Sequence, residues 1–373
     1  MNVPKKRILI FSLAYYPHVG GAEVAVKEIT DRISDVEFHM VTLRFDSTEA
    51  QQEKIGNVFV HRVGSSNSYL QKILFIPRAA WAAKKIHTQK KFDAVWAMMM
   101  YMLFPTFFFG KVPYVLTLQE GDPYEYVFER WYIWIFGIIL KPMFRKASVI
   151  QTISSYLATW AKRNKYQGPL EVIPNGVDLN KFVGEPITHD GIVLVTSSRL
   201  VHKNAIDTVI RALKLLPDVR FKIFGSGPDE AMLKNLAKDS DVAERIEFLG
   251  HIDHERLPPE LHKADIFIRP SRSEGMGNSF IEAMAAGLPV IATQEGGIAD
   301  FLFDRKRNPD KPPTGWAVDK DSPEQIAEAV KEILENPGQT AEVIQNAAQL
   351  VAKSYSWDLI AKEMQEKVFG RVL

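Results

Sequence analysis

The chain has 373 residues, 46% of them hydrophobic and 24% charged, a soluble-globular composition that excludes wholesale disorder and fits two domains of roughly 100–200 residues each. It contains no cysteine, which excludes disulfides, thiolate metal sites, iron–sulfur clusters and cysteine nucleophiles and fits a reducing compartment. The net charge of +1 conceals a basic half and an acidic half: residues 1–185 hold 23 Lys+Arg against 16 Asp+Glu (+7), and residues 186–373 hold 23 against 29 (−6), with no long cationic run of the kind that would suggest nucleic acid as a partner.

In chain order, Lys5-Lys6-Arg7 followed by Ile8-Leu9-Ile10-Phe11 imitates a secretory leader, but the apolar run is short and Tyr15-Tyr16-Pro17 ends it. A buried first strand, Ile8–Ser12, is the better expectation. A glycine loop leads to a helix over about Ala22–Ile33. Strands are predicted at Phe38–Leu43, Val58–Val63, Ala94–Met98, Pro113–Leu118 and Ser148–Ile153, and helices at Pro77–His87, Tyr126–Phe144 and after Ser154-Ser155. Pro174-Asn175-Gly176 forms a turn, and polar Val183–Asp190 reads as an interdomain linker.

A second series follows, with strands at Ile192–Val195, Phe221–Phe224, Ile246–Leu249, Ile266–Ile268 and Val290–Ala292. Helices fall at about Ala205–Leu216, Glu230–Lys238, from near Ser279, and after Pro323 and Trp357. Alternation of this kind predicts two α/β domains, each a parallel sheet covered by helices, with ligands held at the carboxyl ends of the strands. The expected division is residues 1–185 and 186–373, the final helix returning to the first domain. No apolar segment reaches the roughly 18–20 residues needed to span a bilayer.

The most informative stretch is Glu274-Gly275-Met276-Gly277-Asn278-Ser279-Phe280-Ile281-Glu282. Gly275 and Gly277 let backbone approach a ligand closely. Ser279 is placed to cap the next helix, whose N-terminal N–H groups attract anions. Glu282 falls one turn inside that helix, suited to a ribose diol, and Glu274 on the loop can reach other hydroxyls.

This Glu-x7-Glu stretch resembles the signature of retaining glycosyltransferases of glycosyltransferase family 4, which have the GT-B fold of two Rossmann-like domains facing across a cleft. Ile173-Pro174-Asn175-Gly176-Val177-Asp178, Arg199-Leu200 with Lys203, Phe224-Gly225-Ser226-Gly227-Pro228, and His18-Val19-Gly20-Gly21-Ala22-Glu23 resemble further family segments in the expected order. The resemblance implies an N-terminal acceptor domain and a C-terminal domain that binds a nucleotide-diphosphate sugar. Arg199 and Lys203 would hold the diphosphate, Glu274 the sugar hydroxyls, and Glu282 the ribose. Gly275, Met276, Gly277, Asn278 and Ser279 would offer backbone N–H groups, and His251 and Ile252, after Gly250, would flank the base. Gly225 would border the donor, and Gly20 and Gly21 would close over the phosphates. Two cations and a helix N-terminus can stabilise a departing diphosphate electrostatically, so no metal or cofactor is expected beyond the donor substrate.

Two departures stand out. The family places Lys directly before Gly, whereas His202-Lys203-Asn204-Ala205 puts Lys203 one place early. Many members carry His where Thr117-Leu118-Gln119-Glu120-Gly121-Asp122 has Gln119, which hydrogen-bonds but takes no proton near neutral pH. Gln119, Glu120 and Asp122 are the acceptor-side candidates. Asp239-Ser240-Asp241, Asp319-Lys320-Asp321 and the trio His251, His254 and His262 look metal-like but lie in polar or proline-broken stretches. Aromatic Met98–Phe109 and Tyr126–Phe144, with Trp131, Tyr132, Trp134 and Phe136 among Arg130, Lys141, Arg145 and Lys146, suit either a core helix or peripheral contact with an anionic membrane. The expected protein is cytoplasmic or peripheral at the inner face of a membrane, and its expected acceptor is lipid-linked or a glycan. A non-catalytic nucleotide-sugar-binding subunit and a sugar-nucleotide epimerase are the alternatives.

Overall fold

The computed structural model describes residues 5–129, 131–182, 184 and 187–373, with the side chains of 131–135 outside the description. The chain divides into two compact units. One runs to Asn175 and takes in Trp357–Leu373, and the other is Gly176–Ser356. The first therefore ends at Asn175, short of the expected 185/186 boundary. Residues 183, 185 and 186 of the expected linker lie outside the described residues.

The first unit is built on an eight-stranded sheet: β1 (Lys6–Phe11), β2 (Val36–Leu43), β3 (Gln52–Ile55), β4 (Val58–Val63), β5 (Ala94–Met98), β6 (Tyr114–Leu118), β7 (Val149–Thr152) and β8 (Leu170–Val172), in the order β3-β4-β2-β1-β5-β6-β7-β8. All neighbours are parallel except the β3–β4 pair. Ile8 of the central strand faces Phe38 on one side and Ala94 on the other. Ile8–Phe11 are buried without alternation because helices cover both faces of a parallel sheet. β3 was not legible: Gln-Glu-Lys-Ile is polar and exposed, as an edge strand often is.

The helices of this unit are α1 (Gly21–Arg32), α2 (Tyr69–Gln89), α3 (Leu103–Phe109), α4 (Tyr124–Phe128), α5 (Trp131–Lys146) and α6 (Ser155–Arg163). The Ser154 hydroxyl caps α6 by accepting from the Leu157 N–H. α2 starts well before Pro77, because Ser68 supplies its cap and Pro77 lies inside it. The single helix expected over Tyr126–Phe144 is instead α4 and α5, and Arg130 between them lies outside the described residues.

The second unit has a six-stranded, all-parallel sheet: β9 (Ile192–Ser197), β10 (Val219–Phe224), β11 (Ile246–Gly250), β12 (Ile266–Arg269), β13 (Val290–Ala292) and β14 (Trp316–Ala317), ordered β11-β10-β9-β12-β13-β14. Its helices are α7 (Leu179–Phe182), α8 (Ile206–Ala212), α9 (Glu230–Asp239), α10 (Leu257–Leu261), α11 (Asn278–Ala285), α12 (Pro323–Glu335) and α13 (Pro337–Ser354). The apolar stripe of α12 (Ile326, Ala327, Val330, Ile333) joins Leu194, Phe221 and Ile268 in one core.

The chain then returns to the first unit through α14 (Trp357–Glu363) and the turns after it. Trp357, Ile360, Met364 and Phe369 enter the first core. The Phe369 ring lies 5.0 Å from that of Trp96 and 6.0 Å from that of Phe38. Among the described residues, no helix is long and apolar enough to cross a membrane.

Candidate functional site

Because β11, β10, β9 and β12 are neighbours in one parallel sheet, the loops leaving their carboxyl ends lie side by side. Glycine makes the approach possible. Gly225 sits at φ +133°, and a Cβ there would fall 1.9 Å from the Ser198 carbonyl oxygen. Its N–H donates to the Gly250 carbonyl at 2.6 Å, joining the tips of β10 and β11.

After β9, Arg199 is exposed and forms no ion pair among the described residues. Its carbonyl accepts from the Asn204 Nδ2 at 2.6 Å. Lys203 is half-buried in the short turn His202–Asn204, and its carbonyl accepts from the Arg272 N–H at 2.7 Å. Arg272 also pairs with Asp207 and Asp321 at 2.8 and 2.6 Å, so ion pairs fasten the base of the Lys203 turn. Asn204 is buried, and Ala205, where the family has Gly, holds a left-handed backbone at φ +54°. The turn survives the missing glycine at the expense of placing a Cβ in a disfavoured region.

β12 ends in a residue that sequence reasoning passed over. Arg269 is buried, with Nη2 2.9 Å from the Glu274 Oε2 and Nη1 donating to the Ser279 hydroxyl at 2.9 Å and the Ser197 carbonyl at 3.2 Å. Its guanidinium lies 4.2 Å from the Phe280 ring centre. Burial draws its pKa down, and the charges of Glu274 and Glu282 oppose that fall. The available signal was an arginine ending the apolar run Ile266-Phe267-Ile268.

The expected cap is corrected here. α11 begins at Asn278, and its N-cap is Gly277, which has no side chain to offer. The Ser279 hydroxyl is taken by Arg269 instead. Gly277 is at φ +87°, and a Cβ there would come within 2.6 Å of the Arg269 Nη2. The helix thus opens with no side-chain cap, beside a buried guanidinium.

Glu274 Oε1 accepts from the Gly275 N–H at 3.0 Å, so both carboxylate oxygens have partners within the loop. Met276 is buried and Asn278 opens the helix. Glu282 is buried one turn along α11, with its Oε1 2.9 Å from His254 Nε2. The His254 ring stands 5.7 Å from that of Phe182. His254 is the second residue that sequence reasoning passed over, since only its metal-like spacing was visible. His251 is exposed and 3.9 Å from Asp253, beside half-buried Ile252. Among the described residues, no group of three His, Cys, Asp or Glu is placed to hold a metal ion.

In the first unit, Gly20 is the N-cap of α1, its N–H donating to the Glu23 Oε2 at 2.8 Å, and Gly21 opens the helix. Gln119, just past β6, exchanges hydrogen bonds with Asn175: Gln119 Nε2 donates at 3.3 Å and Asn175 Nδ2 returns one at 3.4 Å. The Glu120 carboxyl is buried, with Oε1 accepting from the Met100 N–H at 2.8 Å and Oε2 without a partner among the described residues. Burial pushes its pKa up to about 7, against backbone hydrogen bonds that lower it. Asp122 next to it is half-buried.

Residues 177–350 match the family model for glycosyl transferases group 1, and residues 19–181 match that for glycosyltransferase family 4. An uncharacterized glycosyltransferase of Methanocaldococcus jannaschii is 26% identical over 92% of this chain and 93% of that protein. A GDP-mannose-dependent α-(1-6)-phosphatidylinositol monomannoside mannosyltransferase of Mycolicibacterium smegmatis is 30% identical over 62% of this chain and 65% of its own length, so the chain spans less than two thirds of that relative. Sucrose-phosphate synthase from Thermosynechococcus elongatus shares the fold, with a TM-score of 0.84 over 97% of this chain and 98% of that one at 19% identity.

Proposed function

Because the chain belongs to the family 4-like glycosyltransferases of GT-B fold, we propose that it moves a sugar from a nucleotide-diphosphate donor to a lipid-linked or glycan acceptor, retaining anomeric configuration and using no metal. The observation that carries this reading is the uncapped N-terminus of α11 with Arg269 and Glu274 against it, in line with the Arg199–Lys203 turn on the same sheet edge.

The chemistry follows from charge. Breaking the bond between the anomeric carbon and the phosphate oxygen leaves negative charge on the diphosphate. Arg199, Lys203 and the N–H groups of Met276 to Ser279 are the groups to receive it, the Gly275 N–H being held by Glu274. Glu282, oriented by His254, suits a ribose diol, and His251 and Ile252 border the base. Glu274, paired with Arg269, suits the donor sugar hydroxyls. Gly225 leaves room for the donor beside the tips of β10 and β11.

On the acceptor side, Gln119 is fixed by Asn175 and takes no proton. The departing phosphate oxygen then accepts the proton of the acceptor hydroxyl while that hydroxyl oxygen bonds to the anomeric carbon on the same face. Glu120 and Asp122 would orient the acceptor, and Gly20 and Gly21 would serve the phosphates. The relative from Mycolicibacterium acts, by its name, on a phosphatidylinositol monomannoside, which supports a lipid-linked acceptor and a membrane-peripheral setting.

The test is a thermal-shift screen of UDP-, GDP- and ADP-sugars, followed by product analysis with any donor that binds. A donor that raises the melting temperature and yields a glycosylated product of unchanged anomeric configuration supports the reading. Donor binding without transfer to any lipid or glycan acceptor would leave a binding subunit instead, and an altered sugar nucleotide formed without acceptor would indicate an epimerase.

A further inference from the structure

We propose that the stacked pair His39 and His61 is an acid-sensitive latch, which holds the β3–β4 edge of the first unit's sheet to β2 and releases it when both rings are protonated. The latch would regulate the ligand-binding edge of that unit, and for this purpose it rests on the proposed function; its structural part stands on separate observations. β2 and β4 are parallel neighbours, with His39 opposite Phe59 and His61 opposite Val41. The two imidazoles lie 5.4 Å apart and 12° from parallel, with His39 Nδ1 3.1 Å from His61 Nε2. His39 is buried: Phe59 stacks on it at 5.0 Å and Phe92 meets it edge-on at 5.4 Å. Its Nε2 lies 2.8 Å from the Glu37 Oε1.

Protons set the two states of the pair. Burial opposes it, but hydrogen bonds from His39 and Arg7 and the Lys90 charge hold the Glu37 carboxyl down at about 2. As a carboxylate Glu37 only accepts, so His39 Nε2 carries a hydrogen. In the neutral pair His39 Nδ1 is then the acceptor and His61 Nε2 the donor. That leaves the His61 Nδ1 buried and without a partner among the described residues. One added proton can be held: His39 becomes the donor and the hydrogen of His61 moves to Nδ1. A second sets two N–H groups against each other at 3.1 Å, in two stacked cations. Other charges facing the pair do not relieve this. Arg7 and Lys90 pair with Glu37, and Lys90 and Lys54 lie over the Phe59 ring. Gln52 of β3 lies opposite His61, and α2, with His87 against Phe92, has no acidic residue. Glu49 and Glu53 pair with Arg62, which alternates to the other face of β4. Burial, then the His39 and Lys90 charges, draw the His61 pKa down from 6.5 to about 4, and burial also lowers that of His39 against Glu37. The latch therefore contributes fully above about pH 6.5 and is lost as pH falls toward 4.

Arg62, next in the chain, carries the effect to the loops at the sheet's carboxyl edge. Its Nη2 donates to the Tyr16 carbonyl at 2.6 Å and its Nη1 to the Ala50 carbonyl at 2.9 Å. Its partner Glu49 lies 2.6 Å from His18. Releasing β4 at His61 thus loosens the segment that leads into Gly20 and Gly21.

The experiment is hydrogen exchange of the full chain, without donor or acceptor, at pH 7.5 and pH 5, read by mass spectrometry and corrected for intrinsic exchange. In peptides covering residues 52–63 the opening equilibrium should be roughly thirtyfold larger at pH 5, the factor that the lowered His61 pKa gives. Peptides covering β9 and β10 should change little. His61→Phe should cut the rise to the few-fold that His39 alone retains, and His61→Gln should do the same where the larger ring fails to pack. Equal protection of residues 52–63 at both pH values in the wild type overturns the proposal. So does a thirtyfold rise that both variants keep, or one that β9 and β10 share. A nucleotide sugar that binds at neither pH would instead sink the proposed function and leave the latch standing.

Discussion

Arg269 and Glu274 form a buried ion pair, 2.9 Å from Nη2 to Oε2, at the point where β12 gives way to the loop entering α11. A charge buried this deeply is tolerated because a carboxylate, a hydroxyl and a carbonyl all meet it. Arg269→Met should therefore cost about 3–5 kcal/mol of unfolding free energy, chiefly by stranding Glu274. Arg269→Met combined with Glu274→Gln should recover a large part. Urea unfolding of the single and double variants checks this, and a double variant no more stable than Arg269→Met would show that the pair does not carry the loss.

Arg199 and Glu282 separate turnover from affinity. Arg199 is exposed and unpaired among the described residues, so Arg199→Ala should leave the melting temperature unchanged while lowering turnover about 10²–10³-fold. Glu282→Ala should weaken donor binding and free His254. Calorimetric donor affinity and donor hydrolysis are the measurements. Wild-type values in both variants would remove these residues from the site.

Ala205 carries a local strain that can be relieved. At φ +54° its Cβ costs roughly 1–2 kcal/mol, while replacement by Gly loses about 1 kcal/mol through chain entropy and methyl burial. Ala205→Gly should be neutral or stabilising by about 0.5 kcal/mol. Ala205→Val, β-branched at positive φ, should be clearly destabilising. Thermal unfolding of the three proteins should rank them Gly, Ala, Val, and a reversed order would contradict the strain.

Glu120 sets a pH dependence with a definite sign. Burial raises its folded pKa to about 7, above the ordinary 4.5. Between these values the folded state holds a proton that the unfolded state has lost, so the contribution is full below about pH 4.5 and fades as pH rises through 7. Glu120→Gln should thus stabilise the protein at pH 8 by about 3 kcal/mol and much less at pH 5. Urea midpoints at the two pH values decide it; an equal change at both would place the effect in packing rather than ionisation.

What was legible divides along physical lines. The strands that were predicted are runs of buried apolar residues, and their alternation with helices implied two parallel sheets. β3 escaped because polar, exposed Gln52–Ile55 has no apolar run, and the start of α2 escaped because Pro77 looked like a beginning while Ser68 supplied the cap. In the site, the glycines were readable because close backbone approach leaves no substitute for them. Arg269 and His254 were not, because their importance lies in partners distant in sequence: Ser197 is reached across the β9–β12 edge, and Glu282 from the loop after β11. The Ser279 hydroxyl follows the same rule, its partner being the Arg269 guanidinium from the end of β12 and not a backbone N–H of its own helix.

Trp357 and Phe369 are part of the first unit's core, although Gly176–Ser356 forms a unit of its own. The second body is one uninterrupted stretch of chain, whereas the first is two pieces. During synthesis the ribosome therefore delivers every residue of the later body before the earlier one has its complete interior. The earlier body must wait, with Phe38 and Trp96 lacking an aromatic neighbour, until Phe369 has left the exit tunnel.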